Sequence, residues 1–339
     1  MPPANRCLSL LLLAVLCTAT MVRAQDIGWQ VDFHGFADNR EYAPSGRYSQ
    51  TILGARIAPE IYFSIDSIHF LHAGINYLHE FGATPGRQDQ VSPTIYYNYK
   101  QKGHDFYIGM FPREGLLSGY HRAILNDTLN YYRPNIEGLL WRYTGRTFHQ
   151  QIWIDWTSRQ TATRREQFLA GISGRVNIGK VYVAHQFSMW HNAGTSSDGE
   201  QPPLHDNAAA MVKLGLDLSN LSFPDSLDIS AGGLIALDRL RGVYDWRTPK
   251  GFIVDLYAGY RKFFVANSFY TGERLPIVYG DRFYTATTYD RIDLGWKPLQ
   301  YKGLEGQFTL SFHITPEAVD NQQQFTLRYH IDRLYTKRR

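Results

Sequence analysis

Residues 112–134 read PREGLLSGYHRAILNDTLNYYRP and form the longest connection between patterned segments of the chain. Arg113, His121, Arg122, Asp127 and Arg133 supply both signs of charge and one titratable base within this stretch, and Tyr131 and Tyr132 add stacking surfaces. Long ordered loops are where function concentrates. A group of this kind suits a charged constriction that sorts small polar solutes. Twelve histidines raise the alternative of acid–base chemistry, with His69, His72, His79 and the adjacent Glu80 as candidates. Such catalysis needs partners within hydrogen-bond reach, which spacing along strands does not provide. There is no nucleophile elbow, no His-Glu-x-x-His and no phosphate-binding loop. The sequence therefore assigns no catalytic residue, no metal ligand and no cofactor, and the expectation is that the chain is not an enzyme.

The elements that would carry these side chains alternate with a period of two. In 51–65, Leu53, Ala55, Ile57, Ile61, Phe63 and Ile65 share one phase, and Arg56, Glu60, Tyr62 and Ser64 the other. Residues 212–218 set Val212, Leu214, Leu216 and Leu218 against Lys213 and Asp217, and 252–261 repeat the rule around Asp255. Ile292, Leu294 and Trp296 enclose Asp293, and FTLSFHI (308–314) and FTLRYHID (325–332) continue the pattern. No helical period competes with it. Short turns at 64–67, 100–104, 144–147, 177–180, 248–251 and 297–303 mostly alternate with long polar segments. These lie at 39–48, 82–90, 112–134, 158–166, 191–206 and 267–281. The link 219–226 breaks that rule.

Such strands, many of ten residues or more, exceed the five or six usual in a soluble sandwich. In lipid, every backbone polar group must be paired internally, so strands cross only as a closed barrel. Arg or Lys facing hydrocarbon at mid-membrane costs about 2–4 kcal/mol, so the charged phase must face a wet lumen. The expected fold is all-β: a transmembrane antiparallel up-and-down barrel of about sixteen strands, with fourteen as the alternative. Sixteen requires a short strand near 241–247. Trp29, Trp156, Trp190, Trp296 and Tyr335 suit interfacial girdles.

Expected lumen-lining residues are Arg56, Glu60, Arg175, Lys213, Asp217, Asp255, Arg291, Asp293, Arg328 and Asp332. Adding Arg261, Asp32 and Asp228 gives six cations against seven anions, which sets no strong ion preference.

The first 24 residues read as a cleaved export signal: Arg6, the apolar run 7–17, and VRA before the cut. Both cysteines, Cys7 and Cys17, leave with it. Residues 25–339 form one domain without thiol chemistry, and the net charge falls from +4 to +2 with the loss of Arg6 and Arg23. No dense basic face points to nucleic acid. Aromatics make up 14% while mean hydropathy is −0.34, as expected where only a thin coat is apolar.

The chain resembles the porin-like outer-membrane barrels of Gram-negative bacteria across 27–335. The resemblance is carried by the signal, the alternating strands and the aromatic closing strand, although TKRR follows Tyr335. FADNREY (36–42), FPREGLL (111–117), YYRPNIEGLLW (131–141) and DWTSRQT (155–161) resemble segments of uncharacterised Bacteroidetes-type barrels. The resemblance implies outer-membrane localisation, lipid and the assembly machinery as partners, and room for a homo-oligomer. The expected function is passive diffusion of small hydrophilic solutes, narrowed by 112–134. The alternatives are a barrel hydrolase and a structural or adhesion barrel binding through its outer loops.

Overall fold

The computed structural model describes residues 25–84, 86–196, 202–219 and 223–335. The expected signal segment 1–24 and the tail after Tyr335 lie outside the described residues, as does the Tyr335 side chain. Seventeen strands form one antiparallel sheet. They are β1 (Gln25–Glu41), β2 (Gln50–Ile65), β3 (His69–Glu80), β4 (Asp89–Gln101), β5 (His104–Pro112) and β6 (Asn135–Thr144). Next come β7 (Phe148–Ser158), β8 (Gln167–Ile178), β9 (Val181–Asn192), β10 (His205–Asp217), β11 (Ser226–Leu240) and β12 (Tyr244–Arg247). The sheet ends with β13 (Lys250–Tyr260), β14 (Phe263–Gly272), β15 (Thr288–Tyr301), β16 (Leu304–Ile314) and β17 (Val319–Tyr335).

Strand β17 returns to β1 in register from Ile27↔Tyr335 to Glu41↔Asn321, so the wall closes on itself. The wall has sixteen strands, but not by the expected route. The strand at Tyr244–Arg247 is an extra arm on the far end of β11, which itself pairs with β13 over Ser226–Ile235. Segment 248–251 therefore lies at the long-loop rim rather than forming a short turn, and β10 ends and β11 begins at the short-turn rim despite the length of chain between them.

The alternation in β2 is realised residue by residue. Leu53, Ile57, Ile61, Phe63 and Ile65 are exposed on the outer wall, while Arg56, Glu60, Tyr62 and Ser64 are buried inward. Two hairpins of the short-turn rim close through consecutive positive φ values, at Lys102–Gly103 (50°, 83°) and Lys302–Gly303 (40°, 81°). That geometry matches the twist of the flanking strands and favours glycine at the second position. A Cβ there would lie 2.6 Å from the Thr144 carbonyl and 2.5 Å from that of His330. Trp156 and Trp296 stand on the outer wall as expected of a girdle. Trp190 does not: it packs against His205 and Tyr279 inside.

Candidate functional site: a plugged lumen with a passage on one side

Segment 113–134 folds into the lumen. Its apolar residues Leu117, Tyr120, Ala123, Ile124, Leu125 and Leu129 join a core with Ile136, Leu140, Trp153, Leu169, Met211, Leu234 and Ile253 from the wall. Burial of so much apolar surface drives the fold of the loop. Trp153 Nε1 donates to the Tyr120 hydroxyl at 2.9 Å and fixes its depth.

Charges pin the same segment. Arg113 is buried against Asp155 and donates from Nε to the Arg133 carbonyl at 2.9 Å. Arg133 reaches Asp155 at 3.9 Å. His121 Nε2 lies 3.2 Å from Asp255, which Lys213 also holds at 2.7 Å. Arg56 donates to the carbonyls of Asn130 (2.7 Å) and Tyr131, closing the end of a one-turn helix over Thr128–Tyr132. Tyr132 donates to Glu80 at 3.0 Å. Burial, then this bond to a carboxylate, push the Tyr132 phenol up to about 12.

A second loop, 273–287, joins the plug, a role its sequence reading as a polar connection did not anticipate. Leu275, Phe283 and Tyr284 are buried. Asn126 N donates to the Tyr279 carbonyl (2.8 Å) and Asp281 N to that of Arg122 (2.9 Å). The legible signal was apolar density within the loop: Leu275, Ile277, Tyr279, Phe283 and Tyr284.

Of the five residues expected to form the constriction, Arg122 and Asp127 pair directly with each other beside the cavities, whereas Arg113, His121 and Arg133 are engaged in holding the loop. Burial works to raise the Asp127 carboxyl, but Arg122 and Arg40 outweigh it and hold the group well below the usual carboxylate range. Burial pushes Asp281 upward instead, only partly offset by Arg291.

The other expected lumen residues face inward in pairs. Glu60 accepts from Gln30 (3.0 Å) and Tyr96 (3.2 Å). Arg175 reaches Asp217 at 3.5 Å and stacks over Tyr182. Arg291 pairs with Asp293 at 2.8 Å and donates to Ser311 at 3.0 Å. Arg328 pairs with Glu114 at 2.5 Å, and Asp332 accepts from Tyr62 at 2.9 Å. Arg261 is not a lumen residue: it sits in the turn after β13 with positive φ. Sequence reasoning also missed Asp38, Arg40, Glu114, Asp155 and Asp281, whose roles arise only when distant segments meet.

Three cavities run beside the plug. The mouth, about 600 Å³, is bordered by Arg40, Tyr42, Arg47, Arg122, Asp127, Arg282 and Arg291. A middle cavity of about 170 Å³ shares Arg122 and Asp127 with it and adds His34, Asn130, Gln324 and Arg328. The innermost, about 240 Å³, shares His34 and Asn130 and continues to Asp32, Arg56 and Glu114.

A closed sixteen-strand wall with an inward-folded loop and polar cavities defines a porin-like outer-membrane barrel. OmpTdeltaL8, a loop-deletion mutant of an outer-membrane protein of Vibrio cholerae, is similar over 91% of this chain and 100% of its own at TM-score 0.57 and 9% identity. The in-vitro folded trimer form of OmpT from the same organism matches at 0.56 and 9%, again over 91% and 100%. An anion-selective porin from Comamonas acidovorans matches at 0.54 and 8%, over 91% and 99%. At such identities the likeness is one of fold. No curated protein matches the chain.

The family itself is defined by sequence: the model for the Lipid A 3'-O-deacylase-type family matches residues 19–338, and the chain belongs to that family. This corrects the expectation that the chain is not an enzyme. The family takes its name from the removal of an ester-linked acyl group, and that expectation rested on the lack of a linear motif. Pairs formed across strands leave no such motif, and the long-loop rim has three of them among the described residues. His79 Nδ1 lies 2.7 Å from Asp89. His191 Nδ1 lies 2.7 Å from Asp206 on the outer face, and His205 Nε2 lies 2.7 Å from Asp238 on the inner face.

Proposed function

We propose that the barrel conducts small hydrophilic anions across the outer membrane through the passage beside its plug. The observation that carries this reading is the row of three cavities joined by shared residues and entered through a basic mouth. Five arginines border that mouth. Four carboxylates, Asp38, Asp127, Asp281 and Asp293, answer Arg40, Arg122 and Arg291. Among the described residues, no carboxylate lies within salt-bridge distance of Arg47 or Arg282. Unpaired cations at the entrance of a low-dielectric cleft concentrate anions there. Arg122–Asp127 and Arg328–Glu114 are the two necks along the way.

The test is single-channel recording in a planar bilayer under a salt gradient. Discrete openings with an anion-selective reversal potential, reduced in R47A/R282A, are expected. A folded barrel without openings above the detergent blank would remove the reading.

Family membership favours a second reading: hydrolysis of an acyl ester of a membrane lipid. That chemistry requires a base held by an acid near the lipid surface. His79–Asp89, His191–Asp206 and His205–Asp238 are the candidate pairs. Acyl release from ester lipid in mixed micelles, lost in H79A, H191A or H205A, would support it. A folded barrel that releases nothing over the blank would sink it.

A further inference from the structure

The outer wall bears one band of polar and aromatic side chains at the level of the long-loop rim, on the side away from the passage. The register aligns Trp156 with Phe168, Phe168 with His191, His191 with Asp206, and Asp206 with Arg239, so five adjacent strands contribute to a single row. These positions belong to the outer phase of their strands. In β10, Val212, Leu214 and Leu216 share the phase of Asp206 and are exposed, and in β11 Ile229 shares that of Arg239.

The row is tightly connected. Trp156 stacks on Phe168 with ring centroids 5.4 Å apart, and Phe168 lies 5.1 Å from His191. Asp206 receives His191 at 2.7 Å, Arg239 Nη2 at 2.9 Å, and Arg241 at 2.8 and 3.2 Å. Arg239 also lies 4.4 Å over the ring of Trp246.

Depth follows from the strand rise. Two residues toward the other rim, the matching row is Ile154, Ala170, Met189, Ala208 and Leu237, and the next is Ile152, Ile172, Phe187, Ala210 and Ile235. Each step of two residues is about 6.8 Å, so the polar row stands one step above a continuous apolar belt. Such a position suits the hydrocarbon–headgroup boundary. There the cost of an outward charge falls to about 0–1 kcal/mol, and Trp is at home.

Asp206 sets one negative charge against the two of Arg239 and Arg241, and both its oxygens are already used; Asp245 adds a second carboxylate to the groove that these arginines share. Arg239 Nε is buried without a partner, and Arg241 is half exposed. Both arginines open onto a groove of about 450 Å³ formed with Gly242, Val243, Tyr244 and Asp245. Asp245 lies at its edge and is exposed. Guanidinium groups left with spare donors beside a carboxylate that positions them are suited to two-point recognition of a phosphate.

We propose that Arg239 and Arg241 form a docking site on the outer wall for the phosphate-bearing headgroup of a lipid in the leaflet at the long-loop rim. Asp206 and His191 hold the guanidinium groups in place. Trp156, Phe168 and Trp246 flank the headgroup, and the acyl chains lie against the two apolar rows below. The inference rests on the barrel spanning a membrane, and it shares His191 and Asp206 with the ester-hydrolysis reading without requiring that reading. Its measurement is binding, so it can fail while conduction or ester hydrolysis stands, and the reverse.

The test is native mass spectrometry of the folded full-length barrel titrated with phosphatidic acid or phosphatidylcholine, with inorganic phosphate as competitor. The wild type should retain phosphatidic acid about tenfold more strongly than phosphatidylcholine, in keeping with a charge-assisted two-point contact. R239Q/R241Q should lose the preference, and R241K should keep part of it. If the double variant fails to fold, as judged by heat-modifiable gel mobility, R241Q alone should still lower it, because that side chain is the exposed one. Equal retention of the two lipids by the wild type, or a preference that survives in the folded variants, overturns the proposal. Displacement of phosphatidic acid by millimolar inorganic phosphate would assign the site to free phosphate and overturn the lipid assignment. Oligomers that bind no lipid and dissociate in the arginine variants would assign the face to a second copy of the chain, with the same consequence.

Discussion

The lumen has two unlike sides at the level of the plug. From β6 to β14 the inward residues include Ile136, Leu140, Trp153, Leu169, Met211, Leu234, Ile253 and Tyr270, all nearly or fully buried in one apolar core with loop side chains. From β15 around to β1 they include Arg291, Ser311, Gln322, Gln324 and Asp38, buried and polar, with His313 stacked on Phe283 and Tyr289. The first side is dry and seats the two loops. The second keeps enough polar surface to hold the cavities open to water. An apolar loop packed against a uniformly polar barrel would have no preferred position, whereas packed against one dry side it is fixed and leaves its passage opposite. Asymmetry of the inner face, rather than the barrel itself, thus decides on which side the cavities lie.

The sharpest way to break this contrast is to unpin the loop on its dry side. Asp155→Ala leaves Arg113 buried and unpaired, and should cost about 3–5 kcal/mol of stability. Urea unfolding in micelles checks it, and limited proteolysis of the folded protein should show new cleavage within 113–134. Trp153→Ala removes a fully buried indole and its bond to Tyr120, with an expected loss of about 3 kcal/mol and a wider range of conductance levels. If either variant keeps wild-type stability and protease resistance, the dry side is not what seats the loop.

On the wet side the larger effects should appear in conduction. Arg122→Ala opens the first neck, and single-channel conductance should rise by about twofold with weaker anion preference. No change would take the Arg122–Asp127 pair out of the passage.

Acid should separate two carboxyls of the mouth. Asp281 is held above its ordinary value by burial, so as pH falls from neutral it takes up its proton first. The sign follows: a raised folded value favours the fold below it, and ionisation on the way back up withdraws that contribution. Asp127 is held low, so the stability from its pairing is complete above about pH 4 and is lost only as pH falls through its depressed value. Anion preference should therefore strengthen modestly between pH 7 and about 4, and D281N should abolish that change at constant stability. A preference that falls over this range would assign the titration elsewhere. The smallest effect is expected at the rim, where Arg282→Ala should shift the reversal potential by a few millivolts, as a solvent-exposed charge is well screened.

Much of the wall was legible in advance. The two-residue period of 51–65 assigns each side chain to lipid or lumen, because a strand can place its neighbours only on opposite faces. The count of sixteen was reached while misplacing 241–247, since a short arm and a wall strand have the same local pattern. FADNREY stood out as a segment, and its spacing puts Asp38 and Arg40 on one face, but nothing in it shows that Asp38 will meet Gln322 and Gln324 across the closing seam. The same holds for His191 and Asp206, fifteen residues apart in the chain and paired only by the register of β9 with β10.

By itself, then, the sequence determined the alternation, and with it the closed barrel, the apolar coat and the wet interior, because each follows from local geometry and the cost of unpaired polar groups in lipid. It also marked 112–134 as the segment with the means to narrow a lumen. Only the tertiary structure decided that this loop packs dry against one half of the wall, that 273–287 completes the plug, and that charges from strands far apart in sequence become necks, brackets or an outward-facing band. Those outcomes depend on which residues face each other once the barrel closes. Closure is set by the sum of all sixteen registers, which no single stretch of sequence encodes.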